Sequence, residues 1–254
     1  KSKNANYTDA INYLFYQHDE KTKTLLLNEY GQPMLREEFY EDGLNCTPET
    51  FDLDCSGTNR TFNKNRRPGE IKSHHYIISY DPRDASDCGL TGEKAQELSL
   101  EVAQKMFPGH QALVVTHTDG ENHSGNIHTH IVINSVRANE TEKEDYMTQA
   151  SDYKAGGKHR STNKFMEHFK KEVMAMCERE GLHQIDLLSP APEKVTEAEF
   201  RAKSRGQEKM EKINKKITAE GLKPSATTFQ TQKDFLRKAI KDCSREAKNF
   251  EEFQ

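Results

Sequence analysis

Residues 111–137 read QALVVTHTDGENHSGNIHTHIVINSVR, and the rest of the chain is organised around this stretch. Ala112 to Thr118 and His128 to Val136 are rich in β-branched and aliphatic residues, the composition of strands. Residues 119–126, DGENHSGN, bring two glycines together with Asp, Asn and Ser, which marks a turn-bearing loop. Strand side chains alternate faces, so His128 and His130 point one way and Thr129 and Ile131 the other. Leu113, Val115 and His117 share a face in the same manner. Antiparallel pairing then sets His117 beside His128 and His130 at the loop end of a hairpin. A lone strand histidine is usually a satisfied or exposed residue. Three imidazoles on one patch of a rigid sheet are a divalent-metal site. His123, inside the loop, reads as solvent-exposed.

The whole-chain numbers bound the rest. At 254 residues the chain is one large domain, or a domain with an appendage. With 33% hydrophobic and 31% charged residues and no Trp, it can bury one moderate core. No apolar run approaches the ~20 residues of a membrane span, so no membrane insertion is expected. Cys46, Cys55, Cys88, Cys177 and Cys243 lack CxxC spacing. That odd, unclustered set points to a reducing, cytoplasmic setting and away from disulfide or zinc–thiolate scaffolding. The net charge of −4 does not by itself suggest nucleic acid. Its distribution is uneven, with 22 basic against 16 acidic side chains in residues 153–254 and 15 against 25 before them.

From the start, Ala10, Ile11, Leu14 and Phe15 recur at helical spacing, predicting a short helix over 9–19 capped by Thr8 or Asp9. Tyr13 and Tyr16, three apart, would lie on neighbouring parts of one helical face. Residues 20–68 read as an irregular excursion with a short helix near 48–55 or 56–65. Ser73 to Tyr80, SHHYIISY, is a strand stopped by Asp81-Pro82, with His75 on the face opposite Tyr76. Thr91 caps a helix with an Ala95, Leu98, Val102 and Met106 stripe, ended by Pro108-Gly109. After the hairpin, Lys154, Lys158, His159 and Arg160 flank Gly156-Gly157 in a basic loop suited to phosphate, or to an ordinary surface turn. Asn163 to Glu180 is an amphipathic helix stopped by Gly181, and Leu182 to Leu188 reads as a final strand. From Ser189-Pro190-Ala191-Pro192 onward a separate arm begins, with Lys/Glu-rich helices over 196–220 and 231–248. The division expected is 1–188 and a helical extension over 189–254.

Taken together, NIHTHIVINS with the upstream VVTHTDG resembles motif III of the relaxases. These are strand transferases of conjugative and mobilisable elements within the His-hydrophobic-His (HUH) nucleases. Thr129 stands where the motif name expects a bulky apolar residue, a departure shared by MobP-type relaxases. NYLFYQHDEKT is similar to motif I, whose tyrosine is the nucleophile, and SHHYIISYDP to the strand before the family's long helix. The likeness covers roughly residues 1–188. It implies an α+β fold, a central antiparallel sheet flanked by helices. It also implies a divalent metal on His117, His128 and His130, Tyr13 as nucleophile with Tyr16 as runner-up, and His75 as a polar group assisting the tyrosine and a ligand. Family members are usually longer, so chain beyond Gln254 is expected.

On that resemblance the expected function is a DNA relaxase. It would nick single-stranded or hairpin DNA of a transfer origin (oriT), form a 5′-phosphotyrosyl link, and later rejoin the strand. Three neutral imidazoles fit Mn²⁺, Zn²⁺, Co²⁺ or Ni²⁺ better than Mg²⁺ on ligand softness, while cellular abundance favours Mn²⁺ or Mg²⁺. Lys154, Lys158, His159 and Arg160 would contact DNA, and accessory relaxosome proteins and a coupling protein would be partners. The alternatives are an HUH replication initiator or transposase with the same chemistry, or a non-catalytic metal- or DNA-binding module.

Overall fold

The computed structural model describes residues 2–19, 22, 24–119, 126–190 and 195–246. The strands are β1 (Ser2–Asn4), β2 (Phe39–Leu44), β3 (Ser73–Ser79), β4 (Ala112–His117) and β5 (His128–Asn134). The helices are α1 (Thr8–Phe15), α2 (Phe51–Thr61), α3 (Arg83–Asp87), α4 (Gly92–Met106), α5 (Asn163–Arg179), α6 (Glu197–Ala219) and α7 (Gln232–Glu246). Two compact units result, Lys1–Ser189 and Pro190–Gln254, with α6 and α7 in the second. No helix among the described residues is long and apolar enough to cross a membrane.

The sheet order is β1-β3-β5-β4-β2, antiparallel throughout, so the predicted hairpin strands are neighbours near its middle. Both are covered on two faces. On one, Tyr76, Ile78, Val114, Ile131 and Ile133 pack against Leu98, Val102 and Met106 of α4 and Phe165, Phe169 and Met176 of α5. On the other, Leu113, Val115 and Val132 meet Tyr7 at the head of α1, Ala10 and Leu14 of α1, and Phe51 and Cys55 of α2. This two-sided cover explains the buried aliphatic positions of β4 and β5. Two of their polar side chains pair with each other: on the α4 face the Thr116 and Thr129 hydroxyls lie 2.6 Å apart, and Thr116 donates to Gln96 Oε1 at 2.7 Å.

Helix α1 is fixed to the sheet at its start. The Tyr7 hydroxyl donates to Asn134 Oδ1 at 2.9 Å and accepts from Asn59 Nδ2 of α2 at 2.7 Å, all three residues buried. Asn134 in turn donates to Gln111 Oε1 at 3.0 Å. One phenol thus ties two helices to the end of a central strand.

Four expectations need correction. Helix α1 ends at Phe15 and Asn6, not Thr8 or Asp9, supplies the side chain that accepts from the Asp9 N–H at its start. Tyr16 is extended and bridges Leu35, so it leaves the helical face that carries Tyr13. The excursion holds an edge strand, β2, hidden by its Glu-Asp-Gly content. Its Gly43 is needed because a Cβ there would sit 2.1 Å from the Cys46 carbonyl oxygen. Residues 182–188 form no strand. Asp186 Oδ1 accepts from the N–H groups of Leu188 and Ser189, a local bond that competes with sheet pairing, and Ile185 is 74% exposed. His123 lies outside the described residues.

Tyr7→Phe should destabilise the first unit by about 1–3 kcal/mol, because two buried asparagines lose a partner. Urea denaturation checks this, and an unchanged midpoint would show that the asparagines satisfy each other without the phenol.

Candidate metal and nucleophile site

The register puts His117 directly opposite His128, and alternation returns His130 to the same face. Ring centroids are 5.3 Å apart for His117–His128, 4.8 Å for His117–His130 and 4.9 Å for His128–His130. One ring nitrogen from each can be chosen so that all three lie within 4.8 Å of one another. His117 and His130 are buried, and His128 is half-buried at the rim.

Each ring has one nitrogen already committed. His117 Nε2 donates to the Leu14 carbonyl at 2.8 Å, at the last turn of α1. His128 Nδ1 faces the Asn126 carbonyl at 3.2 Å. His130 Nδ1 lies 2.8 Å from Nε2 of His75 on β3. The other nitrogens of the two buried rings, His117 Nδ1 and His130 Nε2, are enclosed without any hydrogen-bond partner. An unmade bond on a buried polar atom costs about 1–3 kcal/mol, so two in one cluster demand an explanation. An imidazole with one nitrogen held by a carbonyl or a second ring, and the other bare, is the arrangement of metal-bound histidine. The residues present therefore fit a divalent ion.

The electrostatics agree. Burial pushes His75 down to about 4, and burial together with the Arg36 charge brings His117 to about 4 as well. His130 is held well below its ordinary value by burial and then by the rings of His75, His117 and His128. The buried rings are neutral at pH 7, the form that binds metal.

Tyr13 stands on this cluster. Its ring is 5.4 Å from His130, edge-on, and 6.0 Å from both His75 and His18, and it is 36% exposed. The His117–Leu14 bond is what sets the helix end beside the sheet and so places Tyr13.

The basic loop lies elsewhere. Lys158 bridges Val136, beyond the far end of β5 and about 20 Å along the chain from His130 at strand rise. Lys154, Lys158 and Arg160 pair with Glu140, Glu70 and Asp152, at 2.5, 3.5 and 3.2 Å. The His159 ring sits on the opposite sheet face, 2.6 Å from the Tyr76 hydroxyl and packed on Phe107 and Phe165.

Two residues near the site were not anticipated. Arg36 pairs with Asp119 at 2.6 Å and reaches toward the Tyr13 carbonyl, while its Nε has no partner. His18 flanks Tyr13 through the ribbon that follows Tyr16. Neither carries a local signal, because both sit where periodicity is lost.

Residues 26–182 match the family described as "Relaxase: MobA/VirD2-like, nuclease domain". The chain belongs to this family. A relaxase fold of the MobP/HUH type thus accounts for the sheet and its histidine hairpin. Among curated relatives, one "Protein rlx" of Staphylococcus aureus is 32% identical over 142 residues, 56% of this chain and 36% of the relative. Another, from the same organism and with the same name, is 25% identical over 213 residues, 82% of this chain and 56% of the relative. The relaxase chain therefore spans about a third to a half of the curated relatives it matches. No solved structure matches it significantly.

A depressed histidine pKa carries a pH signature. The folded value of His117, about 4, lies below the ordinary 6.5, so its contribution is full above pH 6.5 and lost as pH falls toward 4. The loss amounts to roughly 3 kcal/mol for this one group. Metal-free His117→Gln should therefore lose less stability than the parent between pH 7 and pH 4.5, as read by urea denaturation at each pH. Parallel losses in the two proteins would contradict the neutral buried ring.

Proposed function

We propose that the chain is the nicking and rejoining domain of a DNA relaxase acting on a single-stranded or locally melted transfer origin. The observation that carries this reading is the juxtaposition of Tyr13 with three histidines that share two orphaned ring nitrogens.

In this reading the Tyr13 phenolic oxygen attacks the scissile phosphorus. A phosphotyrosyl ester forms at the 5′ side, the bond to the 3′ oxygen breaks, and that oxygen leaves as a hydroxyl after taking a proton. One phosphodiester replaces another, so the step reverses without an energy source. A free tyrosine titrates near 10, so the phenol must give up its proton to a neighbour or to water. His75 and His18, whose rings each lie 6.0 Å from that of Tyr13, are the candidates to take it. His75 also orients His130 through their ring-to-ring bond. His117 Nδ1, His130 Nε2 and His128 would hold the metal. When bound, it supplies Lewis-acid stabilisation of charge on the phosphate's non-bridging oxygens. Neutral ligands leave its charge uncancelled for that task. On softness the donor set suits Mn²⁺, Zn²⁺, Co²⁺ or Ni²⁺ better than Mg²⁺.

Arg36 is the cation best placed for the phosphate backbone, since its guanidinium reaches toward the Tyr13 carbonyl and its pairing with Asp119 could be exchanged for a phosphate. Lys154, Lys158 and Arg160 would serve DNA running past the other end of β5, exchanging a carboxylate for a phosphate. His159 is left to the core. Association with accessory relaxosome proteins and a coupling protein follows from the same reading.

Tyr13→Phe should abolish the covalent adduct with single-stranded origin DNA in Mn²⁺ while binding in a gel-shift assay is retained. Tyr16→Phe should keep the adduct. The reverse pattern would transfer the role to Tyr16, and an adduct in both variants would remove it from this helix end.

A further inference from the structure

A second cluster lies where β3 hands over to α4. Asp84 in α3, Cys88 at its end and His183 after α5 bring one carboxylate, one thiol and one imidazole within 4.8 Å of each other. The contacts converge on a single point. Asp84 Oδ1 is 2.8 Å from His183 Nδ1 and 3.7 Å from Cys88 Sγ, and Cys88 Sγ is 3.9 Å from the same Nδ1. Tetrahedral zinc with O, N and S donors sets its ligand atoms about 3.3–3.6 Å apart, from its bond lengths and angle. The observed triangle departs from that by about half an ångström or less.

Two further features separate this from a chance contact. Asp84 is fully buried; its oxygens accept from the N–H groups of His183 and Asp81, Oδ1 lies 2.8 Å from His183 Nδ1, and among the described residues no lysine or arginine forms an ion pair with it. Those bonds satisfy its oxygens, and a cation would neutralise the charge they leave buried. The second feature is Asp87, whose Oδ2 is 3.5 Å from the other His183 nitrogen, Nε2. A carboxylate on the far nitrogen of a ligating histidine fixes its tautomer and raises its basicity. A Cys-His-Asp catalytic triad with Asp84 as the orienting acid is excluded by the same geometry, because Asp84 and Cys88 face the same ring nitrogen, Nδ1.

We propose that Asp84, Cys88 and His183 hold a second divalent ion of borderline softness, Zn²⁺ foremost, separate from the histidine hairpin. Binding requires the Cys88 thiol to release its proton to solvent and His183 to carry its own on Nε2, toward Asp87. The half-exposed position of His183 and the exposed Cys88 leave a path for entry. The ion would clamp the segment leaving α5 to the turn after β3, replacing the bond that the Cys88 thiol donates to the Gly181 carbonyl at 3.3 Å.

Cobalt distinguishes the two sites, because only this one contains sulfur. Titrating Co²⁺ into the metal-free full chain should produce a near-ultraviolet thiolate-to-cobalt charge-transfer band that is complete by two equivalents, the histidine hairpin taking the other ion. Zn²⁺ should displace it. His130→Ala should leave the band intact, Cys88→Ser should remove it with an unchanged circular dichroism spectrum, and Asp87→Asn should weaken Co²⁺ binding about tenfold or more. Absence of the band in the parent protein at saturating Co²⁺ would overturn the proposal, leaving a purely hydrogen-bonded clamp. Survival of the band in Cys88→Ser would do the same.

Discussion

Everything at the site depends on a constraint on buried imidazoles: each must place both ring nitrogens. His117 spends one on the carbonyl of Leu14 and His130 spends one on His75, and each is left with a second that nothing in the protein satisfies. Burial keeps these rings neutral, so neither can escape the problem by taking a proton. A cation between the rings would resolve it. The bonds that commit the outer nitrogens also decide which nitrogens remain, so orientation and ligand identity have one origin.

The His117–Leu14 bond has a second consequence. It fastens the last turn of a two-turn helix to the end of a central strand, and Tyr13 is the residue before that carbonyl. At the other end of the helix, the Tyr7 hydroxyl is held by Asn134 and Asn59. The tyrosine is therefore carried by a segment pinned at both ends to a sheet buried on both faces. A rigid mount of this kind suits a nucleophile that must meet a phosphorus at one place, since about an ångström of misplacement is costly. Tyr16 lacks that mount, because the chain turns extended immediately before it.

The hairpin was legible because period-two alternation is a strong local signal and the buried run of β4 and β5 leaves little ambiguity. Strand β3, the cap at Thr91 and the Gly181 stop were readable for similar local reasons. What escaped was set by tertiary contact. Strand β2 carries acids and a glycine, and it exists because β4 offers a free edge. Residues 182–188 have the composition of a strand, but Asp186 turns the backbone on itself. The pairing of Lys154, Lys158 and Arg160 with carboxylates from other segments, and the burial of His159 among aromatic rings, have no trace in the local sequence. Arg36 and the Asp84–Cys88–His183 cluster were invisible for the same reason, as their members converge only in the fold.

The most direct test of the site is an anomalous-scattering map from crystals of the chain soaked in Mn²⁺. The expected result is a peak enclosed by His117, His128 and His130, bonded to Nδ1 of His117 and Nε2 of His130, with Tyr13 alongside. No peak between these rings, or an ion bonded to His117 Nε2 in place of the Leu14 carbonyl contact, would contradict it.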